Sequence, residues 1–142
     1  MIVMYLYYNQ PKAVEHLKSL GYDKANIDFI FIDDGSKIPL ECDWAKVYRI
    51  EKDIHWNMPQ ANNLGFSKIP NEIVLRMDID HYFTVEDLHK IKKIKLRDKE
   101  MVKFPRIYNG KKISEGKNIY LARVNDIVKI GFSLSKEVKV FW

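Results

Sequence analysis

Two aspartates one residue apart, Asp78 and Asp80, close an apolar run from Ile73 to Met77. Alternate side chains of an extended chain point the same way, so both carboxylates can reach one crevice at the strand's end. Their hard oxygens suit a divalent cation that also holds a diphosphate, since such a cation keeps waters and borrows ligands from a substrate's phosphates. His81 follows directly and offers a nitrogen as a further ligand. An isolated Asp-x-Asp also reads as a pair of solvated turn residues, because short motifs match freely by chance.

A second acidic stretch, Ile32-Asp33-Asp34-Gly35-Ser36, likewise follows an apolar run. An ionised aspartate there can accept hydrogen bonds from a ribose hydroxyl or a base N–H. Gly35 permits a tight turn and close approach of a ligand. Asp, Gly and Ser are also ordinary turn formers, so a plain turn fits as well. A third polar strand end is Tyr8-Asn9. The segment Trp56-Asn57-Met58-Pro59-Gln60-Ala61-Asn62-Asn63-Leu64-Gly65 is dense in side-chain amides. Such amides lower helix propensity by competing for backbone hydrogen bonds, which suggests use; a helix capped twice is the plainer reading.

The elements that would position these groups follow from pattern. Ile2 to Tyr8, Ile27 to Ile32, Val47 to Ile50 and Ile73 to Met77 are rich in β-formers and predict strands. Ala13, Val14, Leu17 and Leu20 recur at helical spacing behind Pro11 and stop at Gly21. Pro59 opens a short helix that closes near Gly65 to Ser67. Thr84-Val-Glu-Asp reads as a capping box with Asp for the usual Glu, and Val85, Leu88, Ile91 and Ile94 form the stripe of its helix. Met101 to Phe104 and Ile119 to Ala122 predict further strands, with a hairpin turn at Asn109-Gly110. A short helix runs from about Asn125 to Gly131, and Val138, Val140 and Trp142 alternate as a last strand would. Strands alternating with helices predict an α/β domain with a mixed, mostly parallel sheet flanked by helices. In such sheets ligands bind at the carboxyl ends of the strands, where the three polar motifs converge.

With 142 residues, 46% hydrophobic and 30% charged, the chain fits one domain. Its single cysteine, Cys42, excludes an internal disulfide and argues against a cysteine-based zinc site. The apolar start Met1-Ile-Val-Met-Tyr-Leu-Tyr-Tyr has no basic leader or small-residue cleavage site and reads as a strand. No apolar run would span a bilayer. Together these features predict a cytoplasmic location. The net charge of +5 admits polyanionic partners. However, Lys90, Lys92, Lys93, Lys95 and Lys99 interleave with Ile91 and Ile94 as on the wet side of a helix. That pattern reads as a solvated face and argues against nucleic acid as a partner.

Ile-Asp-Asp-Gly-Ser after the second strand, Trp-Asn-x-Pro-x-Ala-x-Asn-Leu-Gly opening a helix, and a strand ending Asp-Ile-Asp-His resemble the inverting, GT-A-type glycosyltransferase family 2. The resemblance covers Ile2 to Leu88. It implies that Asp33 or Asp34 contacts the nucleoside of a sugar nucleotide, with Tyr8 and Asn9 near the base and Asn63 beside the donor pocket. It further implies that Asp78 lies near the ribose or sugar and that Asp80 holds Mn²⁺ or Mg²⁺ on the diphosphate; Asp78 and His81 are further candidate ligands from their place beside it. Residues 1–100 would then form the nucleotide-sugar part of one GT-A-like domain, and 101–142 a short acceptor side. A carbohydrate or other hydroxyl acceptor would take the sugar.

Beyond Phe104 the resemblance thins. Ile119-Tyr-Leu-Ala-Arg and Ile130-Gly131-Phe132 resemble a later strand and helix of the family. Where the family has an acidic loop, this chain has Gly131-Phe-Ser-Leu-Ser. A catalytic base must come within hydrogen-bond reach of the acceptor hydroxyl. Asp126 and Glu137 are the nearest acids, and both read more simply as solvated. Three alternatives stay open: a donor-binding domain completed by a protein partner, a second copy or a missing segment; a nucleotidyltransferase; and a basic nucleic-acid-binding module. Against the nucleotidyltransferase, no Gly-rich, Arg/Lys-bearing loop follows the first strand.

Overall fold

A computed structural model describes residues 1–53, 57–108, 110–114 and 118–130. In chain order the elements are β1 (Ile2–Tyr7), α1 (Pro11–Ser19), a 3₁₀ turn (Tyr22–Lys24), β2 (Asp28–Asp34), β3 (Lys46–Ile50), α2 (Met58–Lys68), β4 (Ile73–Asp78), α3 (Val85–Lys92), β5 (Met101–Lys103), β6 (Arg106–Tyr108), β7 (Lys111–Ser114), β8 (Tyr120–Arg123) and α4 (Val124–Ile130). Eight strands and four helices are present among the described residues. The expected last strand at Val138 to Trp142 and the helix stop at Gly131 lie outside them, as do His55 and Trp56.

Six strands form one mixed sheet in the order β3-β2-β1-β4-β8-β5. β3, β2, β1 and β4 run parallel, and β8 enters antiparallel between β4 and β5. The chain is therefore α/β, with four neighbouring parallel strands as expected. Alternate side chains on β1 and β2 fill two cores, one on each face. Val3, Tyr5, Phe29, Phe31 and Leu75 pack with Val14 and Leu17 of α1 and Leu88 and Ile91 of α3. Met4, Ile30, Ile32 and Val74 pack with Ala61 and Phe66 of α2 and Val124 and Ile127 of α4. Trp44 is half-buried and meets Phe29 and Phe31 edge-on at centroid distances of 5.5 and 5.4 Å, so it belongs to the first core.

Local signals explain the boundaries. Pro11 stands in the first turn of α1, and Gly21 takes a left-handed φ of +85° after it. Thr84 caps α3 by accepting from the Asp87 amide at 3.1 Å, and its hydroxyl contacts the Asp87 carboxylate at 2.7 Å, so Asp serves in the capping box. α2 lies tight on the sheet at Gly65, where a Cβ would meet Met4 Sδ at 2.3 Å and Ile32 Cγ1 at 3.1 Å. Two strands run longer than the sequence pattern predicts. β2 extends through Asp34 and β4 through Asp78, because parallel neighbours still pair at those residues: Asp33 with Tyr7 and Arg49, Asp34 with Ile50, and Asp78 with Leu6. β6 and β7 form the expected hairpin as a separate two-stranded sheet, with Gly110 at φ +72°. No helix among the described residues is long and apolar enough to cross a membrane.

Candidate functional site

The carboxyl ends of β1, β2 and β4 open onto a cleft of about 430 Å³, whose lining includes Leu6, Tyr8, Asp34, Asp53, Asn57 and Asp78 with Asp80. Strand parity places part of the lining. Leu6 continues the Met4 side of β1, Asp34 the Ile30 and Ile32 side of β2, and Asp78 the Val74 side of β4, so these three emerge on the face covered by α2. Tyr7 and Ile79, which belong to the core on the other face, line the cleft as well. Four aspartates share this cleft in a chain whose net charge is +5.

Asp33 has the opposite parity and a different task. It is 0% exposed and does not line the cleft. Its Oδ1 accepts from the Ser36 amide at 2.9 Å; its Oδ2 accepts from the Leu40 amide at 3.0 Å and from Arg49 Nη1. Burial alone would raise this carboxyl, but hydrogen bonds from Ser36, Leu40 and Arg49 outweigh it and hold the group below its ordinary value. Asp33 thus folds the 33–40 loop, and its oxygens are committed internally. Asp34 faces the cleft instead. Burial pushes its carboxyl up, Asn57 opposes this by donating from Nδ2 at 3.1 Å, and the negative charges of Asp53 and Asp33 raise it further.

Asn9 ties the end of β1 to the same loop. Its amide donates to Ser36 Oγ and its Oδ1 accepts from the Lys37 amide, each at 2.9 Å. It stands at φ +50°, a region Asn tolerates better than most residues. Tyr8 is exposed at the rim, its hydroxyl donating to Asp53 Oδ2 at 3.0 Å. Gly35, at φ +73°, lies against the backbone of Asp53, where a Cβ would come within 2.7 Å of Cα. That contact brings the segment after β3 to the cleft. Asp53 was not singled out from the sequence, although it follows a parallel strand just as the three named motifs do.

At the end of β4, Asp78 is gripped on both oxygens. Arg76 Nη1 lies 2.7 Å from Oδ1, and Asn118 Nδ2 donates to Oδ2 at 2.8 Å. Arg76 is 1% exposed, and a buried guanidinium is costly unless paired. It also donates to Asn62 Oδ1 at 3.2 Å and to the Asn118 carbonyl at 2.8 Å, while Nη2 has no hydrogen-bond partner. The amide-rich helix start therefore supports the acids: Asn57 holds Asp34, and Asn62 holds Arg76. Asn63 is exposed on α2 and does not line the cleft, so its expected place beside a donor pocket is corrected. The buried stripe of α2 passes through 61, 62, 65 and 66 and leaves 63 outside it.

Asp78 to His81 makes a turn closed by the His81 amide donating to the Asp78 carbonyl at 3.0 Å. This brings one ligand atom each from Asp78, Asp80 and His81 within 4.8 Å of one another. His81 Nδ1 is 2.7 Å from Asp80 Oδ1 without hydrogen-bond alignment, so neither ring nitrogen has a hydrogen-bond partner. Asp80 is the most open of the three, with its side chain 55% exposed, and Arg106 Nη2 stands 3.8 Å from its Oδ2. Asp126 is not part of this arrangement: its Oδ2 accepts from the Lys99 amide at 3.1 Å, and it does not line the cleft. Glu137 lies outside the described residues. Among known proteins, no family model and no curated protein matches this chain.

Proposed function

We propose that the chain is a GT-A-like glycosyltransferase domain of the family 2 type, binding a nucleotide-sugar with Mn²⁺ or Mg²⁺ and transferring the sugar to a hydroxyl acceptor. The observation that carries this reading is the convergence of three parallel-strand ends on one cleft, with Asp34 on one side and the Asp78, Asp80 and His81 cluster on the other. The donor set fits a divalent cation: two carboxylates and an imidazole whose nitrogens have no other hydrogen-bond partner. Asp80 would be its chief ligand, since both oxygens of Asp78 already carry partners. When bound, the ion supplies Lewis-acid stabilisation of the leaving diphosphate. Asp34 would accept a hydrogen bond from the nucleoside, and Tyr8 would offer its exposed ring at the rim.

A thermal-shift panel of nucleoside diphosphates and their sugars, with and without Mn²⁺, tests the reading, because a ligand of the folded state raises apparent stability. A nucleotide shift that requires the metal is expected; no shift by any nucleotide with metal present would sink the proposal. One observation favours a second reading, donor binding without transfer: Asp126, the described candidate base, is bonded to the Lys99 amide outside the cleft. Sustained nucleotide release in the presence of glycoside acceptors would reject that second reading.

A further inference from the structure

The hairpin of β6 and β7 touches the acid cluster at both of its flanks. Arg106 opens the hairpin and stands 3.8 Å from Asp80, and Asn118, just beyond it, donates to Asp78 at 2.8 Å. Its base is closed by the Phe104 amide donating to the Ile119 carbonyl at 3.1 Å. The two arginines that meet the cluster differ. Arg76 is buried and committed to Asp78, Asn62 and Asn118, whereas the Arg106 side chain is 43% exposed and its contact with Asp80 is long. A long, half-exposed ion pair is weak and readily exchanged.

We infer that Arg106 is an exchangeable counter-ion: it neutralises Asp80 in the cation-free protein and turns to the diphosphate once a divalent cation takes Asp80. This rests on the metal and nucleotide reading above and adds a phosphate-binding residue to it. The electrostatics favour such a group. Four carboxylates share the cleft and Arg76 already pairs with one of them, Asp78, so a divalent ion still leaves one negative charge among them before a diphosphate adds its own. A guanidinium suits that task because its planar fork matches phosphate oxygens and it never deprotonates. The pairing register shifts between Arg106 and Ile107, with one extra residue on β7 opposite them, so the hairpin is irregular where it meets the cluster.

The exchange has a signature that a plain binding residue lacks. Arg106→Gln removes a competitor for Asp80, so bare Mn²⁺ should bind about 2- to 5-fold more tightly, in line with the loss of one exposed ion pair. The same variant should bind a nucleoside diphosphate in saturating Mn²⁺ about 10-fold more weakly, the scale of one charge-assisted hydrogen bond. Arg106→Lys should restore part of both, and binding of the free nucleoside should not change. Calorimetry on the intact chain reads all four, with circular dichroism confirming that the exposed substitutions leave the fold in place. Shifts in the same direction for metal and diphosphate, or no shift in either, would overturn the exchange while wild-type binding stood. If the wild-type chain bound no Mn²⁺, the metal reading itself would fall and this inference with it.

Discussion

Two pairs of aspartates end two parallel strands, and their spacing separates their fates. Asp33 and Asp34 are adjacent on β2, so they point to opposite faces. One is sealed in the 33–40 loop by Ser36, Leu40 and Arg49, and the other is left in the cleft among like charges. Asp78 and Asp80 are two apart, and the turn after β4 keeps both beside one point. Adjacent acids divide the work between holding the loop and facing a ligand; alternate acids share it. The difference also shows in what holds each group. Asp33 is fixed by backbone amides and a half-buried arginine of its own strand's neighbour, β3. Asp78 is fixed by Arg76 and by Asn118, which arrives from the far side of the chain.

The most damaging way to probe this division is Asp33→Ala. It leaves the Ser36 and Leu40 amides without their acceptor and Arg49 without its buried partner. Breaking a buried pair costs about 3–5 kcal/mol, and the low end, about 3 kcal/mol, is expected because Arg49 stays 19% exposed. Urea unfolding measures it; a loss under about 1 kcal/mol, the net worth of one ordinary hydrogen bond, would mean that Asp33 is not the anchor of the loop. The pH dependence has a definite sign. A carboxyl held below its ordinary 3.8 stabilises the fold above that pH, and the contribution disappears as pH falls through the lowered value. Acid unfolding of the wild type should therefore be steeper below about pH 4 than that of Asp33→Asn.

The strands of the parallel half were legible because each is a short run of β-branched, aliphatic and aromatic residues with polar punctuation. Their carboxyl ends followed from the alternation with helices. Which face each acid would take was not legible, because it depended on β2 running two residues beyond its apolar stretch. The place of β8 was equally hidden. Ile119 to Ala122 reads as a strand, but an apolar run carries no direction, and its antiparallel entry beside β4 is what delivers Asn118 to Asp78. In the sequence Arg76 is one charged residue inside an otherwise apolar run. Its need for Asn62, Asn118 and Asp78 emerges only from the desolvation of its guanidinium.

Asp80→Asn tests the other side of the comparison. Its side chain is 55% exposed and its contacts are a misaligned histidine and a distant arginine, so stability should change by no more than about 0.5 kcal/mol. The metal-dependent thermal shift by nucleoside diphosphates should nevertheless vanish, since the amide removes the charge that draws a divalent ion. Asp33 and Asp80 would then be opposites, one costing the fold and the other costing the ligand. An Asp80→Asn chain that kept its Mn²⁺-dependent shift would show that the ion, if bound, is held elsewhere.

The smallest expected effect sharpens the comparison most, because it concerns the member of the β2 pair that faces the cleft. Burial raises the Asp34 carboxyl, Asn57 partly offsets this, and Asp53 and Asp33 add repulsion, so the charged form is disfavoured in the folded chain. A raised carboxyl destabilises the fold at pH values above it, and removing the charge relieves that strain. Asp34→Asn should therefore increase stability at pH 7 by about 0.5 kcal/mol, within the range of stabilising single changes. The contact with Asn57 survives, because the new amide still presents an oxygen to Asn57 Nδ2. The gain should shrink as pH falls, since the wild-type carboxyl then takes up a proton and loses its repulsion. The same variant should weaken nucleoside binding, with or without metal, while leaving binding of a bare diphosphate intact. Stability that fell at neutral pH would mean that Asp34 is a second structural anchor like Asp33, and the division of labour between adjacent acids would fail.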